Sequence, residues 1–256
     1  MIRTKRLGMD MIQKYVIKGI NLALIILMFS TIFISLADIS IGIPQGPTII
    51  SNKTDNYTPI PATQITTAGG SFTTLILNAT TQTLRWKAYV GNVSGKLALD
   101  DANGKSIFDW RVASVTGEVY TTRNSTIDWS SIQCANSTTI NNEDLSMNMS
   151  LSSPDTINKI FNVSIHKSFY VGTILMQNST CRSIATYVND TAQASLESAS
   201  FQEMLLQDGY NRMVYATLIN QNTTGYNNQK YDFQMIVAEN EWQTTPTTYY
   251  LYVELV

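Results

Sequence analysis

Apolar and polar side chains alternate with period two over residues 84–90. Leu84, Trp86, Ala88 and Val90 fall on one side, and Arg85, Lys87 and Tyr89 on the other. Such alternation predicts a β-strand with one apolar and one wetted face. Short runs of similar character recur along the chain. Residues 95–99 and 105–112 flank Asp100-Asp101-Ala102-Asn103-Gly104, where Asn-Gly supplies the positive φ that a hairpin turn requires. Segments 72–77, 118–122, 161–166, 170–176, 183–188, 213–219, 231–237 and 248–256 read as further strands from their β-branched and aromatic content. The Ala-rich run 191–206 predicts a helix, although 201–206, standing before Asp208-Gly209, equally suits a hairpin arm. Residues 136–156 read as a polar excursion within the domain. Together these runs predict a mainly β fold over residues 66–256, an antiparallel β-sandwich of Ig-like or jelly-roll-like type.

The first 37 residues follow a different rule. Arg3, Lys5, Arg6, Lys14 and Lys18 stand against one acid, Asp10, and no charge follows from Ile20 to Ala37. A basic flank before an apolar plug is the signature of a segment that engages a membrane. As a helix those residues would span about 27 Å, a little less than a hydrocarbon core of about 30 Å. Residues 1–37 are therefore a signal peptide or an uncleaved membrane anchor. Ser35-Leu36-Ala37 offers the small residues a signal peptidase needs, which would leave Asp38 as the new terminus. Either way the rest of the chain is expected to be extracellular or at the cell surface. Residues 38–65 hold Pro44, Pro47, Pro59 and Pro61 and read as an N-terminal arm and linker.

Past Ala37 the chain has 12 basic and 18 acidic side chains, a net −6, with no basic cluster. Phosphate backbones would be repelled, so nucleic acid is not an expected partner. Low charge density leaves hydration to neutral polar groups. Asn-Xaa-Ser/Thr occurs at Asn52, Asn56, Asn78, Asn92, Asn124, Asn136, Asn148, Asn162, Asn178, Asn189 and Asn222. With 20 Asn, and 50 Ser or Thr, in the 219 residues after Ala37, composition predicts about five such triplets against eleven present. The excess points to N-linked glycans, which would supply the missing hydration.

Cys134 and Cys181 are the only cysteines. In an oxidising compartment such a pair reads as one structural disulfide. A lone histidine, His166, without a nucleophile elbow or a His-x-x-x-His pair, offers no triad or zinc site, and a structural role is expected for it. No metal and no cofactor are expected, and Asp100, Asp101 and Asn103 read as turn residues. A secreted glycoside hydrolase needs two facing carboxylates, for which Asp100, Asp109, Glu118, Glu239 and Glu241 are the candidates. Trp86, Trp110, Trp129 and Trp242 are core residues or a sugar platform.

Ile39, Ile41 and Ile43 would share one face of a short strand ended by Pro44. Such an arm can pair with an open sheet edge of a second copy, fold back on its own domain, or continue an anchor. The Pro/Thr stalk, threonine-type sequons, few charges and tyrosine-rich tail from Tyr231 to Val256 give a composition that resembles archaeal secreted surface and filament glycoproteins of pilus-like or coat type. One departure sets it apart from archaeal type IV pilins: Gly8 is separated from Ile20 by Lys14 and Lys18. The sequence is thus read as a non-enzymatic structural surface protein, with copies of itself or other surface proteins as partners. The alternatives are a tethered lectin-like or receptor-like module and, third, a secreted hydrolase.

Overall fold

The computed structural model describes residues 42–111 and 114–256. The export segment 1–37 and Ile39 and Ile41 of the arm lie outside the described residues. The chain is mainly β, built from several sheets, with little helix. In chain order the strands are β1 (Trp86–Gly91), β2 (Lys96–Asp100), β3 (Ser106–Arg111), β4 (Gly117–Thr122), β5 (Gln133–Cys134), β6 (Phe169–Val171) and β7 (Ile174–Met176). They continue as β8 (Ser183–Ala185), β9 (Gln202–Gln207), β10 (Met213–Leu218), β11 (Thr223–Thr224), β12 (Lys230–Tyr231), β13 (Phe233–Ala238) and β14 (Tyr250–Leu255). Helices α1 (Ser137–Ser146) and α2 (Ile157–Ile160) fall between β5 and β6. Among the described residues none of the helices is long and apolar enough to cross a membrane.

The largest sheet runs β14-β4-β10-β9-β5 with β8 added beside β9, six strands in all, and the remaining strands form the pairs β1–β13, β2–β3, β6–β7 and β11–β12. Every residue of β9 is buried. Its alternate side chains feed two clusters: Leu205 joins Tyr215, Val119, Phe161 and Met235 on one face, while Met204 and Leu206 join Tyr120, Val214 and Phe169 on the other. A strand covered on both faces shows no polar alternation, which is why 201–206 also reads as helical. The hairpin reading of that segment is the one the fold adopts. Asp208-Gly209 turns the chain into β10, and the Asp208 carboxylate accepts from the backbone of Tyr210 and Arg212 and from Arg212 Nε at 2.6 Å. Residues 191–200 form no helix.

Three further expectations are corrected. Residues 72–77 have no regular secondary structure and, among the described residues, join no strand; each of them is exposed. Residues 161–166 contribute only the bridge Val163–Ser183. Residues 170–176 fold as the tight β6–β7 hairpin in place of one strand, turning at Gly172 with φ +58°. The 136–156 excursion contains α1, whose buried positions Thr139, Ile140, Glu143 and Asp144 follow helical spacing but are mostly polar. Its two carboxylates are held by Arg123, which pairs with both oxygens of Glu143, and by the Ile157 N–H donating to Asp144 at 2.7 Å.

Strand β1 buries side chains from both of its sides, with Trp86 of the expected apolar side and Tyr89 of the other packing against the same core cluster. It pairs antiparallel with β13, placing Lys87 opposite Val237 and Tyr89 opposite Met235, both partners being fully buried. Ala88, expected on the apolar face, is exposed. A lysine tolerates the inward position because its ammonium leaves by its flexible stem: Lys87 Nζ meets Glu239 and the Thr247 carbonyl, each at 2.6 Å, and lies 4.9 Å from the Tyr249 ring centre. On its far edge β13 is closed by side chains. Thr217 Oγ1 donates to the Gln234 carbonyl, the Ile236 N–H donates to Glu203, and the Tyr249 hydroxyl donates to the Ala238 carbonyl.

Candidate functional site

The cysteine expectation is met: Cys134 and Cys181 are joined, with Cα atoms 4.9 Å apart and a sequence separation of 47. Cys134 ends β5 at the rim of the large sheet, and Cys181 is wholly buried in the cluster below it. His166 belongs to the same joint. Its Nε2 accepts from the backbone N–H groups of Thr180 and Cys181 at 3.1 and 2.9 Å. Nδ1 then carries the proton and donates to the Lys167 carbonyl at 2.7 Å. Burial pushes the imidazole below its ordinary value, which the Lys167 bond only partly offsets. The structural role expected for this histidine is the one its bonds describe.

His166→Ala should therefore destabilise the domain by about 2–4 kcal/mol, because the buried Cys181 N–H and the part-buried Thr180 N–H and Lys167 carbonyl lose their partner and a buried ring is removed. The folded pKa is depressed, so this contribution is complete above about pH 6.5 and is lost as pH falls through the folded value. Urea melts of His166→Ala and the wild type at pH 7.5 measure it, and a difference under about 0.5 kcal/mol would contradict the assignment.

The eleven sequons are distributed over the outside of the molecule. Asn52, Asn56, Asn78, Asn92, Asn136, Asn148, Asn162, Asn178, Asn189 and Asn222 are exposed, Asn124 is half-buried, and none is buried. Three of them, Asn148, Asn189 and Asn222, adopt positive φ at turns, a conformation asparagine tolerates better than other side chains. Asn136 has a second task, since its side chain caps α1 by accepting from the Thr139 N–H at 2.8 Å.

The five candidate carboxylates do not gather. Asp109 is tied to Lys96 at 2.7 Å, Glu239 to Lys87 and Glu241 to Arg85, while Asp100 ends the exposed strand β2. Glu118 alone meets another acid. It stands directly opposite Glu254 across the β4–β14 ladder, and both side chains are buried. Glu254 accepts from the Gly172 N–H at 3.0 Å and from the Tyr120 hydroxyl at 3.1 Å. Among the described residues Glu118 Oε2 has no hydrogen-bond partner, and its residue borders a cleft of about 260 Å³ shared with Lys167, Tyr170 and Gln202. Burial, and secondly the charge on Glu254, raise the Glu118 carboxyl well above the usual carboxylate range. Residue spacing on single strands cannot reveal this pair, because its members are 136 positions apart.

Among the described residues no group of three or more His, Cys, Asp or Glu side chains is placed to hold a metal ion. The Asp101 turn is held by its own backbone, with Oδ1 accepting from the Asn103 and Lys105 N–H groups at 2.8 Å. The tryptophans divide: Trp86 packs on Phe161 and Trp129 on Tyr120 and Tyr252, whereas Trp110 and Trp242 are exposed on β3 and in the loop after β13. Of the arm, Ile43 is 63% exposed and Pro44 is buried. Gln45 exchanges two backbone bonds with Val253 of its own β14, at 3.0 and 2.8 Å. Comparison of the chain with family models, with curated proteins and with solved structures finds no match.

Proposed function

We propose that this chain is an exported, N-glycosylated structural protein of the cell surface, a coat or filament subunit. The observation that carries the reading is the placement of its sequons: eleven acceptors, ten exposed and none buried, on a domain whose strands supply the core. Exposure is usual for asparagine, so it is the excess over the roughly five triplets that composition predicts, together with this accessibility, that favours the reading. Glycans at these positions would hydrate a surface poor in charge. A closed disulfide fits an oxidising location, and residues 1–37 would take the chain there. The bonds from Thr217, Glu203 and Tyr249 to β13 support treating β1–β13 as the second layer of a sandwich.

Intact-mass measurement on native material tests the function directly. A mass well above the 28.5 kDa of the polypeptide is expected, with glycopeptide maps showing Asn124 as the least occupied acceptor because it alone is half-buried. A sugar-free chain retained in the cytosol would end the proposal.

A further inference from the structure

Residues 72–77, Phe-Thr-Thr-Leu-Ile-Leu, carry no charge, proline or glycine, adopt no regular secondary structure and are exposed. Phe72 is 97% exposed, Ile76 99% and Leu77 84%. Among the described residues, 72–82 make no backbone hydrogen bond. No charged side chain lies between Asp55 and Arg85 to keep this stretch soluble. Six strand-forming residues, four of them apolar, without a pairing partner are a template awaiting a sheet edge.

The same molecule offers such an edge. Among the described residues β1 pairs with β13 alone. The Arg85 carbonyl bonds to the Glu239 N–H, so by strand alternation positions 85, 87 and 89 turn their backbone toward β13. The N–H and C=O groups of Trp86, Ala88 and Val90 then point outward. None of these three side chains is charged. Two other edges are less suited: β13 is closed on its far side by Thr217, Glu203 and Tyr249, and Gln45 already sits on β14. The sequons at Asn78 and Asn92 fall just past the two segments and leave both clear of sugar.

We infer that residues 72–77 of one copy add as a strand to the outer edge of β1 in a second copy. Backbone bonds to Trp86, Ala88 and Val90 give the affinity, and burial of Phe72, Leu75, Ile76 and Leu77 gives the driving force. Each copy carries one donor and one acceptor, so the contact is head-to-tail and propagates. This deepens the proposed surface-subunit role, and rests on it only for where assembly takes place.

Both native cysteines are already joined, so introduced thiols report proximity. Two differently tagged full-length chains, one with Ile76→Cys and one with Ala88→Cys, are mixed under mild oxidation. Disulfide-linked heterodimer at least tenfold above that from an Ile50→Cys control is expected. Leu75→Lys/Ile76→Lys should abolish assembly in light scattering while leaving the thermal midpoint unchanged, since neither side chain packs in the core. Heterodimer no greater than the control, or a link formed only within single Ile76→Cys/Ala88→Cys chains that stay monomeric, overturns the inference. Glycan mass is read separately: cross-links without sugars would defeat the surface role and leave strand addition standing, and sugars without cross-links the reverse.

Discussion

Above about pH 4.5 each carboxyl whose folded pKa is raised by burial is expected to lower the domain's stability, by about 1.4 kcal/mol per pH unit while it keeps its proton in the folded chain. Glu203 and Glu118 are the carboxyls raised well above the usual range. Glu203 is fully buried in β9, where Oε2 accepts from the Ile236 N–H at 2.9 Å and Oε1 has no partner among the described residues. Burial holds it well above the usual carboxylate range, and burial with the Glu254 charge does the same for Glu118. Because both folded pKa values are raised, the folded chain retains protons that the unfolded chain releases above about pH 4.5. Their stabilising contribution is complete below that pH and disappears as pH rises through the folded values. His166 adds no slope above about pH 6.5, where it is neutral in both states. Asp208 and Glu239 are pushed up by burial, but Arg212 and Lys87 outweigh this and leave both low, so they act only below about pH 4. Glu118→Gln/Glu203→Gln should flatten the decline above about pH 4.5, and the amide oxygen introduced at position 203 can still accept from the Ile236 N–H. Thermal midpoints of wild type and variant across a pH series decide the matter. A wild-type midpoint that does not fall relative to the variant's as pH rises would refute it.

Opening the Cys134–Cys181 bond should cost about 4 kcal/mol, from the chain entropy a loop of this length regains when unfolded. That is a large part of the roughly 5–15 kcal/mol that holds a domain folded. The loop contains α1, α2 and the β6–β7 hairpin. It therefore supplies Ile140, Ile157 and Phe161 to one core cluster and Phe169, Val171 and Met176 to the other. Cys134→Ser/Cys181→Ala is expected to lower the urea midpoint sharply and to admit proteolysis between residues 135 and 180. Adding His166→Ala should cost less than the sum of the separate effects, because the Cys181 N–H bonded to Nε2 belongs to the same joint. An unchanged midpoint would show that the clusters alone hold the segment.

Local chemistry predicted a good deal of this fold. Asn103-Gly104 and Asp208-Gly209 mark two turns correctly, since positive φ and side-chain bonds to nearby backbone are properties of a few consecutive residues. Most strands also lie where β-branched and aromatic runs placed them. The misses share a cause. The buried face of α1 is made largely of Thr139, Glu143 and Asp144, so a search for apolar periodicity passes over it; the Asn136 cap was the available signal. Strand β1 presents Lys87 inward, against its apparent pattern, because Glu239 and Tyr249 from distant positions accept its ammonium.

The sequence by itself determined the β character, the single cysteine pair and the abundance of sugar acceptors, all of which follow from residue type and short spacing. Tertiary structure alone decided that Glu118 meets Glu254, that β9 is buried on both faces, and that among the described residues 72–77 stay unpaired while β1 keeps an open edge. The division is physical. Turns and sequons are settled by neighbours in the chain, whereas strand partners and buried charges depend on which distant segments exclude water together.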